Sequence, residues 1–181
     1  MKKLFLSVML FFVVLSINAQ DFKFEKIIEV NKSQAELYSI SKMFVSDCWN
    51  SAKNVTQNQD DVASVIQLKA IVEKEIPAGM GLSNLYTYKY TVKFQAKENR
   101  CRIQIYDIEC IEANQIGFGK TLEIPLIQPF MGDDTDQKTK SMGKGISKKK
   151  AVELMEDLKL YFNSMILSYE KQLLNSMDDN W

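Results

Sequence analysis

The chain has 181 residues, 46% of them apolar, with 23 basic and 23 acidic side chains and a formal net charge of zero. That length can bury one self-sufficient core, and the balanced charge argues against gripping nucleic acid or an anionic membrane by bulk charge. With no histidine, Ser-His-Asp and Cys-His catalysis, histidine-held zinc or haem and a histidine pH switch are excluded. Three cysteines are too few for a Cys-only structural zinc site or a disulfide scaffold.

Met1-Lys2-Lys3, an almost unbroken apolar run from Leu4 to Ile17 and then Asn18-Ala19-Gln20 have the order of a secretory signal peptide. The run is shorter than the roughly 20 residues of a membrane-spanning helix. Residues 1–19 are therefore expected to be removed, with cleavage after Ala19 or Gln20. Residues 20–181 are expected to be one exported domain: periplasmic, outer-membrane-associated or secreted. Loss of Lys2 and Lys3 leaves 21 basic against 23 acidic side chains, a net charge of −2. No transmembrane segment is expected in the mature chain.

Phe22 to Val30 alternates as a half-buried strand. Ser33-Gln34-Ala35-Glu36 is a capping box, and Leu37, Ile40, Phe44, Val45, Cys48 and Trp49 then recur at helical spacing, predicting a helix over 34–52. Lys53 to Ser64 reads as a polar loop. Val65 to Ile76 predicts a strand, which Pro77-Ala78-Gly79-Met80-Gly81 ends. Tyr86, Tyr88, Tyr90, Val92 and Phe94 alternate most clearly of all. Lys97-Glu98-Asn99-Arg100 follows, with Asn99 suited to the positive φ of a tight turn. Cys101, Ile103 and Ile105 return the chain, and the alternation blurs near Asp107 as at a bulge. Thr121 to Gln128 could add an edge strand, since Pro125 is tolerated there. About 130–146 reads as a flexible connector. A helix over about 147–177 presents Val152, Met155, Phe162, Met165, Ile166, Tyr169 and Leu173 inward. The order predicts an α+β two-layer sandwich: an antiparallel sheet of about four to five strands with both helices on one face.

Motifs that suggest chemistry are weak. Gly119-Lys120-Thr121 resembles the end of a phosphate loop, but Asn114 stands where that loop needs glycine, and strand follows where it needs helix. Asp133, Asp134 and Asp136 lack calcium-loop spacing, with Lys138 where a ligand should fall. Lys148-Lys149-Lys150 opens the last helix against its dipole and reads as solvated, with lipopolysaccharide or lipid phosphate as the alternative. Cys48 and Cys101 both read as inward-facing, and a free buried thiol is preferred to a bridge between them. Asp107 and Glu109 could share a proton on one strand face, though a solvated edge is the simpler reading.

Ser33-x-x-Glu36-Leu37-Tyr38, Ser64-Val65-Ile66-Gln67 and Lys97-Glu98-Asn99-Arg100-Cys101-Arg102 resemble a domain-of-unknown-function family found in exported proteins of Bacteroidota. That family is assigned a fold like the TATA-binding protein. Its hairpin usually reads Lys-Asp-Gly-Arg-Tyr-Arg; Lys97, Arg100 and Arg102 match, while Glu98, Asn99 and Cys101 depart. The resemblance covers about residues 22–112. It implies a fold and an exported bacterial setting, but no activity, and a shared fold does not transfer DNA binding.

No catalytic, cofactor or metal residues are assigned. The expected function is that of an exported, non-enzymatic binding or scaffolding module of the cell envelope. The alternatives are a small envelope enzyme using carboxylates the sequence does not identify, or an anion or lipopolysaccharide binder. Alternation places Gln67, Lys69, Ile71, Lys89, Thr91, Lys93, Arg102, Gln104 and Tyr106 on the sheet face away from the helices. Four of these nine are basic and none is acidic. Lys69, Lys89, Lys93, Arg102, Gln104 and Tyr106 are the candidate binding face, its partner an acidic or anionic envelope protein or glycan rather than nucleic acid.

Overall fold

A computed structural model describes residues 23–49, 55–123 and 148–175. The proposed signal peptide, the 130–146 connector and the Asp133–Asp136 cluster lie outside these. The elements are β1 (Phe24–Glu29), α1 (Gln34–Cys48), β2 (Thr56–Asp60), β3 (Val65–Gly79), β4 (Leu82–Lys97), β5 (Arg100–Gly117), β6 (Lys120–Glu123) and α2 (Lys148–Asn175). The strands make one antiparallel sheet in the order β1-β5-β4-β3-β2, with β6 also paired to β5. Both helices cover one face, as the sequence predicts.

Three long strands form the middle of the sheet, and their apolar residues meet in cross-strand rows. Ala70 faces Tyr90, Leu68 faces Val92 and Ile66 faces Phe94, which in turn faces Ile103. All are buried, as are Tyr86, Tyr88, Cys101 and Ile105. The expected bulge is present: Thr91 faces Tyr106 and Lys89 faces Glu109, leaving one extra residue on β5. Asp107 takes the left-handed conformation there (φ 51°), which lets Ile108 turn into the core.

The polar stretch 53–64 is not only loop. Thr56–Asp60 pairs with β3 as an edge strand. Its side chains are almost all exposed, so backbone hydrogen bonds hold it and no apolar period betrays it. The sheet therefore has six strands rather than four or five. β6 is described only to Glu123, short of the predicted end at Gln128.

One corner fastens α1 to the sheet. The capping box forms: Glu36 N donates to Ser33 Oγ, and Ser33 N donates to Glu36 Oε2 at 2.9 Å. The β4–β5 turn joins it. Gln34 N donates to Glu98 Oε2 at 3.0 Å, and Asn99 exchanges backbone bonds with Val30 and Lys32 while holding φ 60°. Ser64 accepts from Ala96 N through its carbonyl and from Gln34 Nε2 through its hydroxyl. Every stretch that carries the family resemblance thus contributes to a structural joint. Glu98 and Asn99 depart from the usual pattern yet meet the same demands, an acceptor and a positive φ.

The helices are sealed by an aromatic cluster. Phe162 of α2 lies 5.0 Å from Tyr90 and 5.2 Å from Phe24 between ring centroids, and Tyr169 lies 4.9 Å from Phe94 and 5.1 Å from Phe44. The buried stripe of α2 is Leu154, Leu158, Phe162, Ile166, Tyr169 and Leu173. Val152 was expected inward but is exposed; Met155 and Met165 are only partly buried. Leu154 and Leu158 take the inward angle because they lie eight and four residues before Phe162, close to whole helical turns.

All three cysteines are free. Cys101 is buried beside the hydroxyls of Ser41 and Tyr169. Cys48, expected inward, is exposed in the last turn of α1, beyond the cover given to Phe44 and Val45.

Phe162→Ala should cost about 3–5 kcal/mol, as large aromatic truncations in cores do. Tyr169→Phe should cost only about 1 kcal/mol, because Ser41 Oγ keeps its 2.8 Å bond to Leu37 O. Urea unfolding of the two variants would separate these values. In the folded protein, a thiol reagent should modify Cys48 while Cys101 reacts only after denaturation, and mass spectrometry of digested protein would show the order.

Candidate functional site

The face away from the helices is uncovered by any described element. β4 supplies Lys89, Thr91 and Lys93, β3 supplies Gln67, Lys69 and Ile71, and β5 supplies Arg102, Gln104 and Tyr106. Register places them in rows: Lys69 opposite Thr91 and Tyr106 beyond it, Gln67 opposite Lys93 and then Gln104. The expected face is thus one continuous surface. Thr91 is only 2% exposed and Gln104 9%, while Ile71 is 59% exposed, so the middle of the face is recessed among longer neighbours.

The charge pattern differs from the expectation that no acid shares this face. β1 pairs with β5 so that Glu25 lies opposite Gln104. Its carboxylate sits 2.7 Å from Arg102 Nε and 2.8 Å from Lys23 Nζ, and accepts from Gln104 Nε2 at 3.0 Å. The Lys23 bond, followed by those from Gln104 and Arg102, outweighs partial burial and lowers the Glu25 pKa from 4.5 to about 2. After the bulge, Glu109 faces Lys89 at 3.6 Å. Reading each strand alone could not reveal these partners, because β1 lies far away in sequence and the bulge shifts the phase of β5.

Lys69 and Lys93 remain. Neither has a carboxylate within ion-pair distance among the described residues. Because Lys69 faces Thr91, it is the diagonal neighbour of Lys93, about 7–8 Å away in such a pair with the β-carbons somewhat closer. Two ammonium groups thus flank a buried threonine whose Oγ1 lies 3.5 Å from the Asp107 carboxylate. Tyr106 borders them, its hydroxyl pKa raised by burial and then by Asp107.

The remaining sequence motifs resolve simply. Phe118 and Gly119 form a tight β5–β6 turn with positive φ at both, and Lys120 and Thr121 begin a strand, so no phosphate-binding helix start exists there. Asp107 lies 3.5 Å from Thr91 Oγ1, whereas Glu109 is paired to Lys89. The two carboxylates are therefore held by different partners. Among the described residues no group of three Cys, Asp or Glu side chains is placed to hold a metal ion, and no helix is long and apolar enough to cross a membrane.

An antiparallel sheet with two helices on one face and an open opposite face defines an α+β protein of TBP-like fold. Residues 24–110 match the family model described as "Domain of unknown function (DUF4468) with TBP-like fold". Solved bacterial structures are similar. A DUF4468 family protein from Bacteroides ovatus superposes with a TM-score of 0.55 at 12% identity, over 87% of this chain and 91% of that one. A TBP-like protein from Parabacteroides distasonis gives a TM-score of 0.54 at 13% identity, over 85% and 96%. At such identities the likeness establishes the fold. No curated protein matches the sequence.

Because the folded pKa of Glu25 lies below 4.5, its contribution to stability is complete above that pH and is lost as the pH falls toward about 2. Glu25→Gln should therefore lower the urea midpoint at pH 7 and flatten its fall between pH 4.5 and 2. An unchanged acid profile in the variant would show that the Lys23–Glu25–Arg102 cluster adds nothing to stability.

Proposed function

We propose that this protein is an exported, non-enzymatic binding module of the bacterial cell envelope, and that its open sheet face docks an acidic or anionic protein or glycan. The observation that carries this reading is the Lys69–Lys93 pair. Neighbouring ammonium groups repel each other, and a sheet that compensates Arg102 and Lys89 with Glu25 and Glu109 leaves these two uncompensated. An anion seated between Lys69 and Lys93 would relieve the repulsion and meet both. Exposed Ile71 and partly buried Tyr106 beside them offer apolar contact next to the charges. The simpler alternative is a solvated face whose lysines discourage strand addition. It accounts less well for the pairing of the other two cations. The export reading rests on the composition of residues 1–20, and the non-enzymatic reading on a sequence with no histidine and no recognisable nucleophile motif.

The immobilised protein should retain an acidic component from envelope extract, with affinity that falls as salt rises. Lys69→Ser with Lys93→Ser should weaken that binding about tenfold, the effect of two modest charge contacts. Lys89→Ser should weaken it less, because Lys89 is already paired with Glu109. Retention by the double variant equal to that of the parent, at every salt concentration, would place the site elsewhere.

A further inference from the structure

The sheet end remote from the α1 corner carries two turns packed side by side. Gly79, Met80 and Gly81 in the β3–β4 turn have φ of 90°, 53° and 73°; Phe118 and Gly119 in the β5–β6 turn have 51° and 71°. Ser83 pairs with Ile116, and a β-carbon on Gly117 would fall 2.3 Å from Leu82 Cδ2 and 3.0 Å from Gly81 O. A side chain at 117 would require both the Leu82 side chain and the Gly81 carbonyl to give way. Left-handed turn positions favour Gly, Asn and Asp. Here two of them hold Met80 and Phe118, which are also 91% and 80% exposed. Each large apolar side chain thus occupies a disfavoured backbone conformation without gaining burial. Neither turn propensity nor core packing accounts for them.

Several lysines lie around them. Lys120, the first residue of β6 after the Phe118 turn, is exposed, and Leu122 on the same strand is 58% exposed. Lys150 donates to the Pro77 carbonyl, which brings the start of α2 to this end of the sheet, with Lys149 exposed and 4.0 Å from the likewise exposed Glu153 carboxylate. No acidic residue occurs from Ile76 to Asn84 or from Ala113 to Leu122.

We propose that these two turn tips seat the protein on an anionic lipid surface. Met80 and Phe118 enter the boundary between headgroups and acyl chains, and Lys120 and Lys149 meet the lipid phosphates. The tips are convex. A lipid layer opens around such a wedge, whereas a protein partner would need a pocket already shaped to it. The site lies at the end of the sheet and is separate from the open face, so each can fail without the other.

The test uses the chain from Gln20 onward, which contains every described element and omits the apolar N-terminal run that would itself bind lipid. At low salt it should co-sediment with vesicles of phosphatidylcholine and phosphatidylglycerol, and far less with phosphatidylcholine alone. Met80→Asn with Phe118→Asn should cut the bound fraction about tenfold or more, the scale expected for losing two large apolar insertions. Asparagine tolerates the left-handed conformation, so this variant should melt no lower than the parent. Lys120→Ser with Lys149→Ser should remove the preference for phosphatidylglycerol. A parent protein that stays in the supernatant would overturn the proposal. So would an asparagine double variant that melts like the parent and still sediments equally.

Discussion

Tyr169 joins the three parts of this fold. Its ring packs on Phe94 of the sheet and Phe44 of α1, and its hydroxyl lies 2.6 Å from Ser41 Oγ, all without exposure to solvent. A hydroxyl buried this deeply must have a partner, because an unpaired one would forfeit about 1–3 kcal/mol. Ser41 supplies it while bonding back to Leu37 O, so one polar contact positions α1 against α2 within an apolar layer. Burial holds the Tyr169 pKa above its ordinary value, which keeps the hydroxyl neutral and the layer free of charge.

Committing both helices to one face leaves the other face open. Its character is set at the sheet margins as much as at its centre. β1 brings Glu25 to Arg102, and the Asp107 bulge turns Glu109 toward Lys89. What remains is a recessed polar centre with two uncompensated cations beside it. The α1 corner and the opposite turn tips divide the sheet ends in a similar way. The corner satisfies its polar groups internally through Ser33, Glu36, Glu98 and Asn99, while the tips present Met80 and Phe118 to solvent.

Some of this architecture was legible because its signals are local. The capping box at Ser33, the positive φ at Asn99, the bulge near Asp107 and the alternation from Tyr86 to Phe94 each depend on a few neighbouring residues. Side-chain period two also assigned Lys69, Lys89, Lys93, Arg102, Gln104 and Tyr106 to one face. β2 was not legible, because an exposed edge strand is held by backbone bonds that leave no mark on composition. The inward stripe of α2 was misplaced at Val152, since exposed and buried apolar residues alternate there and only the packed neighbour distinguishes them.

By itself the sequence determined the fold class, the order of most elements and which face of the sheet is apolar, because those follow from backbone propensity and side-chain period. Only the tertiary structure decided which charges on the open face are neutralised and which side chains share a sheet end. Glu25 reaches Arg102 across 77 positions of sequence, and the turns of Met80 and Phe118 share a sheet end because Ser83 of β4 pairs with Ile116 of β5. Such pairings depend on strand order and register, which are settled when distant segments compete for the same hydrogen-bonding edge.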